Sequence, residues 1–233
     1  MPCCIPPVLQ KNTPVNNISG NGNKLTFTAN DNEISTENLH KLAKKFGNPG
    51  IDLKYAERSY RSFAISGDEL KSMAYGYVYS KQTKGSIGDE KAIAFSAGNL
   101  TALDDAIFKT PPSGIINYQG GAFIGTREDI VRGSSIFNVN FAKNEITGAL
   151  KFKNGSRLDS GWGQETQFPE LVEFDNGQIS GNTFTASGEA KHSNRPSANA
   201  QGQFYGAGAA ELGGIFTIDD VGLTRGSFGA IKQ

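Results

Sequence analysis

Apolar and polar residues alternate with a period of two over most of this chain, the pattern of β-strands that bury one face. Before residue 110 the clearest example is residues 73–79. There Met73, Tyr75, Tyr77 and Tyr79 share one face, while alanine, glycine and valine occupy the other. The same spacing predicts further strands at residues 24–29, 51–55, 60–65 and 92–97.

One stretch of the N-terminal half has a helical period instead. Ser35 or Thr36 is a suitable N-cap, and the helix is predicted to run to Phe46. Its apolar face consists of Leu39, Leu42, Ala43 and Phe46. A Gly-Asn-Pro sequence at 47–49 ends it. A second helical turn is expected within residues 99–108, and the Pro-Pro pair at 111–112 is the strongest break in the chain.

After this break, short strands and polar turns follow one another regularly. The predicted strands are residues 115–124, 134–141, 145–152, 171–179, 183–189, 200–205, 209–218 and 222–230. Eight antiparallel strands are the number that closes a small barrel filled by its own side chains. Phe204, Phe216 and Phe228 recur every twelve residues beside glycines. They are therefore expected to point inward from successive strands.

The predicted fold is mainly β. Residues 1–23 are rich in proline and asparagine and are expected to form an extended leader. Residues 24–112 are predicted to form a β-rich domain with a short helix, and residues 113–233 an eight-stranded antiparallel barrel.

Charge and cysteine content narrow the functional classes. Lys plus Arg equals Asp plus Glu at 23 each, so no net charge attracts nucleic acid or a membrane surface. Many glycines and uncharged polar residues are typical of secreted or surface β proteins. The two cysteines, Cys3 and Cys4, are adjacent and so poorly placed to bridge each other. Either one carries a lipid near a mature N-terminus, or both are free thiols in the leader.

No catalytic constellation is visible in the sequence. His40 and His192 are the only histidines, and neither has a partner at metal-ligand spacing. No nucleophile motif, phosphate-binding loop or dinucleotide fingerprint is present, because Gly206 and Gly208 lie in a predicted hairpin. A non-enzymatic protein is expected.

Several motifs resemble the barrel of the transferrin-binding protein B family. Residues 202–216 contain Phe-Tyr-Gly and Ala-Ala-Glu-Leu-Gly-Gly, and the chain ends in Phe-Gly-Ala-Ile-Lys-Gln. Residues 112–120 form a Pro-x-Gly-x-x-x-Tyr-x-Gly element, followed by Asn-x-Asn-Phe at 138–141 and Thr-Gly-x-Leu at 147–150. The resemblance covers residues 110–233.

The resemblance implies that residues 24–112 are the ligand-binding "handle" domain of this family. The chain has room for one handle-plus-barrel lobe, which favours the single-lobe relatives over the two-lobe transferrin binders. Those relatives include haemophilin-like secreted haem carriers and surface lipoproteins that bind host proteins such as complement factors. Membership also implies export through an outer-membrane translocator of a Gram-negative bacterium. A TonB-dependent receptor is a further expected partner, and the chain is expected to be monomeric.

The predicted function is a secreted or surface-exposed haem-binding protein for iron acquisition that binds haem in the handle, and the alternative is a surface module that binds a host protein. A haem carrier needs an axial base within an apolar cleft. His40 is the candidate for that base, and Met73, Tyr75, Tyr77 and Tyr79 are candidates for the cleft. The alternatives are a half-exposed helix histidine and a tyrosine stripe that packs a sheet.

The other ligand is a host protein. Five of the seven tyrosines lie between residues 55 and 79, and tyrosine is favoured at protein interfaces. Tyr60 and Trp162, the latter among loop glycines, are the candidate contacts. His192 is expected to be exposed in a loop, and Glu211 is expected to hold a turn.

Overall fold

The computed structural model describes most of the chain from residue 16 onward. The described residues are 16–21, 24–29, 32–35, 37–38, 41, 50–55, 58–66, 69–82, 90–126, 129–153, 157–159, 165–191, 195–219 and 224–233. In parts of several strands, including most of residues 16–63, only the backbone path is described.

The described elements form four sheets and one short helix. A three-stranded sheet contains β1 (Asn16–Asn21), β2 (Lys24–Ala29) and β3 (Asn32–Ser35). A four-stranded antiparallel sheet, here called the handle sheet, contains β4 (Gly50–Tyr55), β5 (Arg58–Ile65), β6 (Met73–Gln82) and β7 (Glu90–Gly98). Helix α1 (Ala106–Lys109) follows. The remaining strands are β8 (Ile116–Thr126), β9 (Asp129–Asn140), β10 (Glu145–Phe152), β11 (Arg157–Asp159), β12 (Glu165–Gln167), β13 (Leu171–Ser180), β14 (Thr183–Ala190), β15 (Ser197–Tyr205), β16 (Glu211–Ile218) and β17 (Arg225–Lys232).

Eight of these strands close into an antiparallel barrel, as the sequence predicts. Its order is β8-β9-β10-β13-β14-β15-β16-β17, and β17 pairs with β8 to close the wall. β11 and β12 form a separate hairpin between β10 and β13. The fold class is therefore confirmed, because neighbouring barrel strands are also neighbours in sequence and each alternates inward and outward residues.

The barrel interior is filled with phenylalanine rings. Phe204, Phe216 and Phe228 are all buried in this core, as their spacing predicts. The ring of Phe216 lies against Gly226, and that of Phe228 lies against Gly214, so each ring covers a glycine on the adjacent strand. A side chain at either glycine would occupy the space of the ring. A phenylalanine on one strand therefore pairs with a glycine on the next, because the ring fills the space that a second side chain would need.

Helix α1 lies over one end of the barrel. Ile107 is buried in the barrel core, and the Phe108 ring packs 5.8 Å from that of Phe141 and 6.1 Å from that of Phe204. Asp105 caps the helix by accepting a 2.9 Å hydrogen bond from the Ile107 amide at Oδ1. Its Oδ2 accepts from the Gly208 amide at 2.9 Å, and these bonds lower the pKa of Asp105. The helical turn expected within 99–108 is confirmed.

The start of the other predicted helix is also present. Glu37, Asn38 and Lys41 are helical, and Ser35 Oγ accepts a 3.3 Å hydrogen bond from the Asn38 amide. Glu37 and Lys41 form an exposed ion pair at 2.8 Å, one helical turn apart. The remaining residues of this helix, His40 among them, lie outside the described part.

The structure differs from the sequence predictions at several element boundaries. Strand β1 lies within residues 16–21, which the sequence assigns to the leader. Strand β3 and the β11–β12 hairpin have no predicted counterpart, because strands of three or four residues are too short to show a period. Strand β16 begins at Glu211 and not at residue 209, because Ala209 takes the left-handed conformation with φ 52° and ends a short 3-10 turn.

Candidate binding site at the junction of handle sheet and barrel

The handle sheet packs against the outer wall of the barrel. Met73, Tyr75 and Tyr77 lie on the face of β6 that meets the barrel, and their exposed fractions are 0%, 2% and 0%. They form a hydrophobic cluster with Phe123 of β8 and Tyr205 of β15. Met73, Tyr75 and Tyr77 therefore share one face of β6, as the sequence predicts, and the barrel covers that face.

Glycines on the barrel wall make room for this contact. Met73 lies against Gly213, and the Tyr75 ring lies against Gly229. The Tyr75 hydroxyl reaches Gly121 on β8. A Cβ atom at any of these three positions would overlap a handle side chain. Gly213 and Gly229 of the C-terminal motif thus leave room on the outer barrel wall for the side chains of the handle sheet.

Glu211 links the two parts directly. Its carboxylate is 4% exposed and accepts hydrogen bonds from the backbone amides of Lys71 at 2.6 Å and Ser72 at 3.0 Å. These amides belong to the segment that enters β6. The sequence predicts that Glu211 holds a turn. The segment that it holds is the bend before β6, whose amides are 139 and 140 residues away.

Further polar contacts fix the orientation of the handle sheet. Ser227 Oγ of β17 donates to the Gly76 carbonyl at 2.8 Å. Ser96 Oγ of β7 and the Tyr205 hydroxyl share a 3.0 Å hydrogen bond, and the Tyr205 hydroxyl also donates to Gln203 Oε1 at 3.2 Å. Burial raises the pKa of Tyr75 and of Tyr205, so both remain neutral phenols near neutral pH.

The chain leaving β7 is pinned to the barrel. Leu100 forms a bridge with Tyr205, flanked by hydrogen bonds from the Thr101 amide to the Phe204 carbonyl and from the Gly206 amide to the Asn99 carbonyl, both 2.9 Å. The handle sheet is consequently held at both the start of β6 and the end of β7.

An open groove of about 570 Å³ lies beside this junction. One side is β7 from Ala94 to Gly98, and the floor is the outer surface of β14, β15 and β16. Thr185, Gln201 and Ile215 are among its lining residues. None of the described lining residues is charged, although a fifth of the chain is. The groove is the candidate binding site.

Of the residues predicted as site residues, the structure brings three together in one cluster, Met73, Tyr75 and Tyr77. Met73, Tyr75 and Tyr77 are buried at the junction, and their role in binding haem stays a prediction. Tyr60 lies in β5 and Tyr79 in β6, but their side chains lie outside the described part. His40, Trp162 and His192 are likewise outside the described residues.

Within the described residues, no three acidic, histidine or cysteine side chains cluster closely enough to hold a metal ion. Haem iron needs only one or two axial ligands, so single side chains decide whether a haem site fits. The groove could accommodate a flat ligand by volume, but its only aromatic hydroxyl belongs to Tyr205. Burial raises the pKa of that hydroxyl and so disfavours the phenolate that would ligate iron. His40, the predicted axial base, lies outside the described residues, so its role in binding haem stays a prediction.

Residues 110–232 match the family model described as the C-lobe and N-lobe β-barrels of Tf-binding protein B. The chain belongs to this family. Transferrin-binding protein B of Haemophilus influenzae is 32% identical over 145 residues, which cover 52% of this chain and 21% of that protein. An uncharacterized protein of the same species is 30% identical over 152 residues, covering 62% of this chain and 44% of the other. The chain thus spans less than half the length of these curated relatives.

Solved structures of the Tf-binding protein B type share the fold over nearly the whole chain. The haemoglobin receptor HpuA from Kingella denitrificans matches with a TM-score of 0.59 and 14% identity, over 90% of this chain and 76% of that one. A variant of transferrin-binding protein B from Actinobacillus pleuropneumoniae matches with a TM-score of 0.51 and 17% identity, over 95% and 97%. In the described part of this family member, no helix is long and apolar enough to cross a membrane.

Sequence reasoning missed the residues that build the junction and the groove. Gly213, Gly229 and Glu211 were visible in the family motif, but nothing in the motif indicates a distant partner. The groove combines β7 with three barrel strands that begin more than 80 residues later. A sequence signal for it is the run of uncharged outward residues on β14 and β15, Thr183, Thr185, Gln201 and Gln203.

Proposed function

We propose that this chain is a surface-exposed, non-enzymatic module of bacterial iron acquisition that captures a host iron-carrying protein. The observation that carries the proposal is the family membership of its barrel. Similarity of fold to a haemoglobin receptor and to transferrin-binding protein B supports it. The ligand class is therefore a protein of the transferrin or haemoglobin kind.

The surface chemistry around the groove supports a protein ligand. Leu100, at one end of the groove, is 46% exposed, and Leu103, which lies against Gly181 in the β13–β14 turn, is 62% exposed. Exposed aliphatic side chains beside uncharged polar ones are suited to a protein interface, whose centre is depleted of charge. The hydrogen-bonded junction gives this surface a fixed shape.

The proposal includes an extracellular location. The module acts after secretion or on the outer-membrane surface of a Gram-negative bacterium, delivered by a translocator that recognises the barrel. Cys3 or Cys4 is the candidate position for a lipid anchor. A TonB-dependent receptor is the proposed acceptor of the captured iron source.

Binding to transferrin and haemoglobin tests the proposal. The immobilised chain is expected to retain at least one of them in a surface plasmon resonance experiment. Replacing Leu100 by Glu should weaken that binding by about tenfold or more, because it places a charge on an uncharged surface. Ile136→Glu is the control, since Ile136 is 39% exposed on β9, away from the groove. Failure of the chain to retain either protein would contradict the proposal.

Haem is the second candidate ligand, with His40 as its axial base. The observation that favours it is the helical conformation of Glu37, Asn38 and Lys41, which agrees with the helix that the sequence predicts around His40. Titration with hemin, followed by absorption spectroscopy, is expected to give a shifted Soret band that His40→Ala abolishes. An unshifted spectrum in the unmodified chain rules this ligand out, and the same shift in His40→Ala rules out His40.

A further inference from the structure

Strand β7 is an edge of the handle sheet, and that edge faces the groove. The order of the sheet is β4-β5-β6-β7, so β7 has one neighbour, β6. Residues of β1 and β2 approach β7, but they belong to a different sheet and form no ladder with it. Within the described residues, no strand therefore forms a ladder with the second edge of β7.

The register shows which backbone groups of β7 point toward the groove. The Asn99 amide donates to the Ser72 carbonyl at 2.8 Å, which directs it toward the β6 side. The Tyr75 carbonyl accepts from the Ser66 amide on the opposite side of β6, and Tyr75 pairs with Ser96. Tyr75 and Ser96 thus form a non-hydrogen-bonded pair. By alternation, the amides and carbonyls of Ala94 and Ser96 point away from β6 and into the groove.

The groove has the shape and chemistry to receive one extended chain. The β7 segment from Ala94 to Gly98 offers about 13 Å of edge at a strand's rise per residue. Side chains of an added strand that point downward would meet Thr185, Gln201 and Ile215 on the barrel wall. Because the described lining carries no charge, a charged side chain buried there would lose its hydration without an opposite charge.

We propose that the groove binds an extended, uncharged segment of a partner protein, which adds to the handle sheet as a strand antiparallel or parallel to β7. The backbone of Ala94 and Ser96 supplies the hydrogen bonds, and the outer faces of β14, β15 and β16 select the side chains. Leu100 and Tyr205 close one end of the site. This inference rests on the proposed function for the kind of partner, a host iron-carrying protein.

A single substitution on the edge tests the backbone contacts. Ala94→Pro removes an amide that faces the groove, and it leaves the ladder between β6 and β7 intact because that amide takes no part in it. Thr185→Lys places a charge on the floor, and Thr147→Lys, on an exposed position of β10, is its matched control. The probes are overlapping short peptides that cover transferrin and haemoglobin, together with the two intact proteins.

The unmodified chain and Thr147→Lys should retain a subset of peptides with uncharged segments. Ala94→Pro and Thr185→Lys should bind these peptides about tenfold more weakly or worse. In residue-resolved hydrogen exchange, the Ala94 and Ser96 amides should gain protection when a peptide binds. The Phe95 amide, which faces β6, should be protected in both states.

Each outcome separates the two proposals. If no peptide is retained, or if both groove variants bind as the control does, strand addition at β7 is overturned, even where intact transferrin or haemoglobin still binds. If peptides bind through β7 but neither intact protein does, strand addition stands and the proposed function fails. Edge-to-edge pairing of two copies, seen as a dimer that Ala94→Pro abolishes in the absence of peptide, would replace the partner segment with a second copy and overturn the proposal.

Discussion

The barrel interior and the junction between handle sheet and barrel use the same device with different consequences. In the interior, the Phe228 ring lies against Gly214 of the neighbouring strand. At the junction, the Tyr75 ring lies against Gly229 on the outer wall. The interior contact is purely apolar. The junction adds directional hydrogen bonds, which Glu211 accepts from two backbone amides and in which the Ser227 and Ser96 hydroxyls take part.

The two kinds of contact therefore have different roles: the interior contacts stabilise the barrel, and the junction contacts orient the handle sheet. Apolar rings stabilise the barrel by burial, which is strong but tolerates small rotations. The hydrogen bonds at the junction contribute less energy each, yet they are satisfied in only one arrangement of the handle sheet. Because the groove lies between β7 and the barrel wall, its width depends on that arrangement. The barrel supplies stability, and the junction sets the geometry of the candidate site.

The largest expected effect is the loss of an interior ring. Phe228 is fully buried, with its centroid 4.7 Å from that of Phe137 and 6.3 Å from that of Phe184. Phe228→Ala should lower the free energy of unfolding by about 3–5 kcal/mol, because it leaves a cavity among rings that cannot close around it. Chemical denaturation measures this. A loss below about 1 kcal/mol would show that the interior repacks and would remove the contrast with the junction.

A larger side chain at the junction should lower the free energy of unfolding by a smaller amount and disturb a smaller region. Gly229→Val places a side chain against the Tyr75 ring and should cost about 1–3 kcal/mol. Amide exchange should rise in β6 and β7 and stay unchanged in β10 and β13, on the far side of the barrel. In a double-mutant cycle with Tyr75→Ala, the two losses should not add, because each removes the same contact. If the two losses of unfolding free energy add, Gly229 stabilises the barrel without contributing to its contact with Tyr75.

Removal of the buried carboxylate should weaken the junction by about 1–3 kcal/mol. Glu211→Ala leaves the amides of Lys71 and Ser72 without their acceptor in a water-poor site. Limited proteolysis between residues 66 and 73, with denaturant unfolding alongside, measures the effect. Glu145→Ala, an exposed glutamate on β10, is the control and should change neither quantity. Equal behaviour of the two variants would show that Glu211 does not hold the handle sheet.

The smallest effect on stability at neutral pH is expected from the ionisation of three buried tyrosines. Burial raises the pKa of Tyr118 in the barrel and of Tyr75 and Tyr205 at the junction. The folded chain keeps them protonated above the ordinary tyrosine pKa of ~10, where the unfolded chain ionises them. Their contribution to stability is therefore complete below that pH and is lost as pH rises through the raised values.

Ultraviolet titration should show these three tyrosines ionising only on alkaline unfolding. Tyr118→Phe and Tyr205→Phe should each remove one late-titrating group. Ionisation of all seven tyrosines in one step near the ordinary value, with the fold retained, would contradict their burial.

The barrel could be predicted from the sequence in detail, and the junction could not. In an antiparallel barrel each strand has one buried and one outer face, so a period of two identifies the inward residues, and Phe204, Phe216 and Phe228 follow it. Strand β6 is buried on both faces: Ala74 and Val78 lie on one face, Tyr77 lies on the other, and all three are buried. Its tyrosine stripe was visible, but the pattern does not state whether a ligand or the barrel covers it.

Local sequence was also insufficient for Glu211 and for the groove. Glu211 stands beside a turn of three residues, but its hydrogen-bond donors lie in the distant segment before β6. The edge of β7 borders the groove because Leu100 pairs with Tyr205 and places that edge above β14 and β15.

The sequence by itself determined the mainly β class, the eight strands of the barrel, their inward rings and the family of the barrel. These properties depend on alternation and on contacts between strands that are adjacent along the chain. The tertiary structure alone decided that Met73, Tyr75 and Tyr77 face the barrel, that Glu211 holds the handle sheet, and that β7 borders an uncharged groove. These contacts join segments that are far apart along the chain, and a periodic pattern carries no information about which distant surface will meet which.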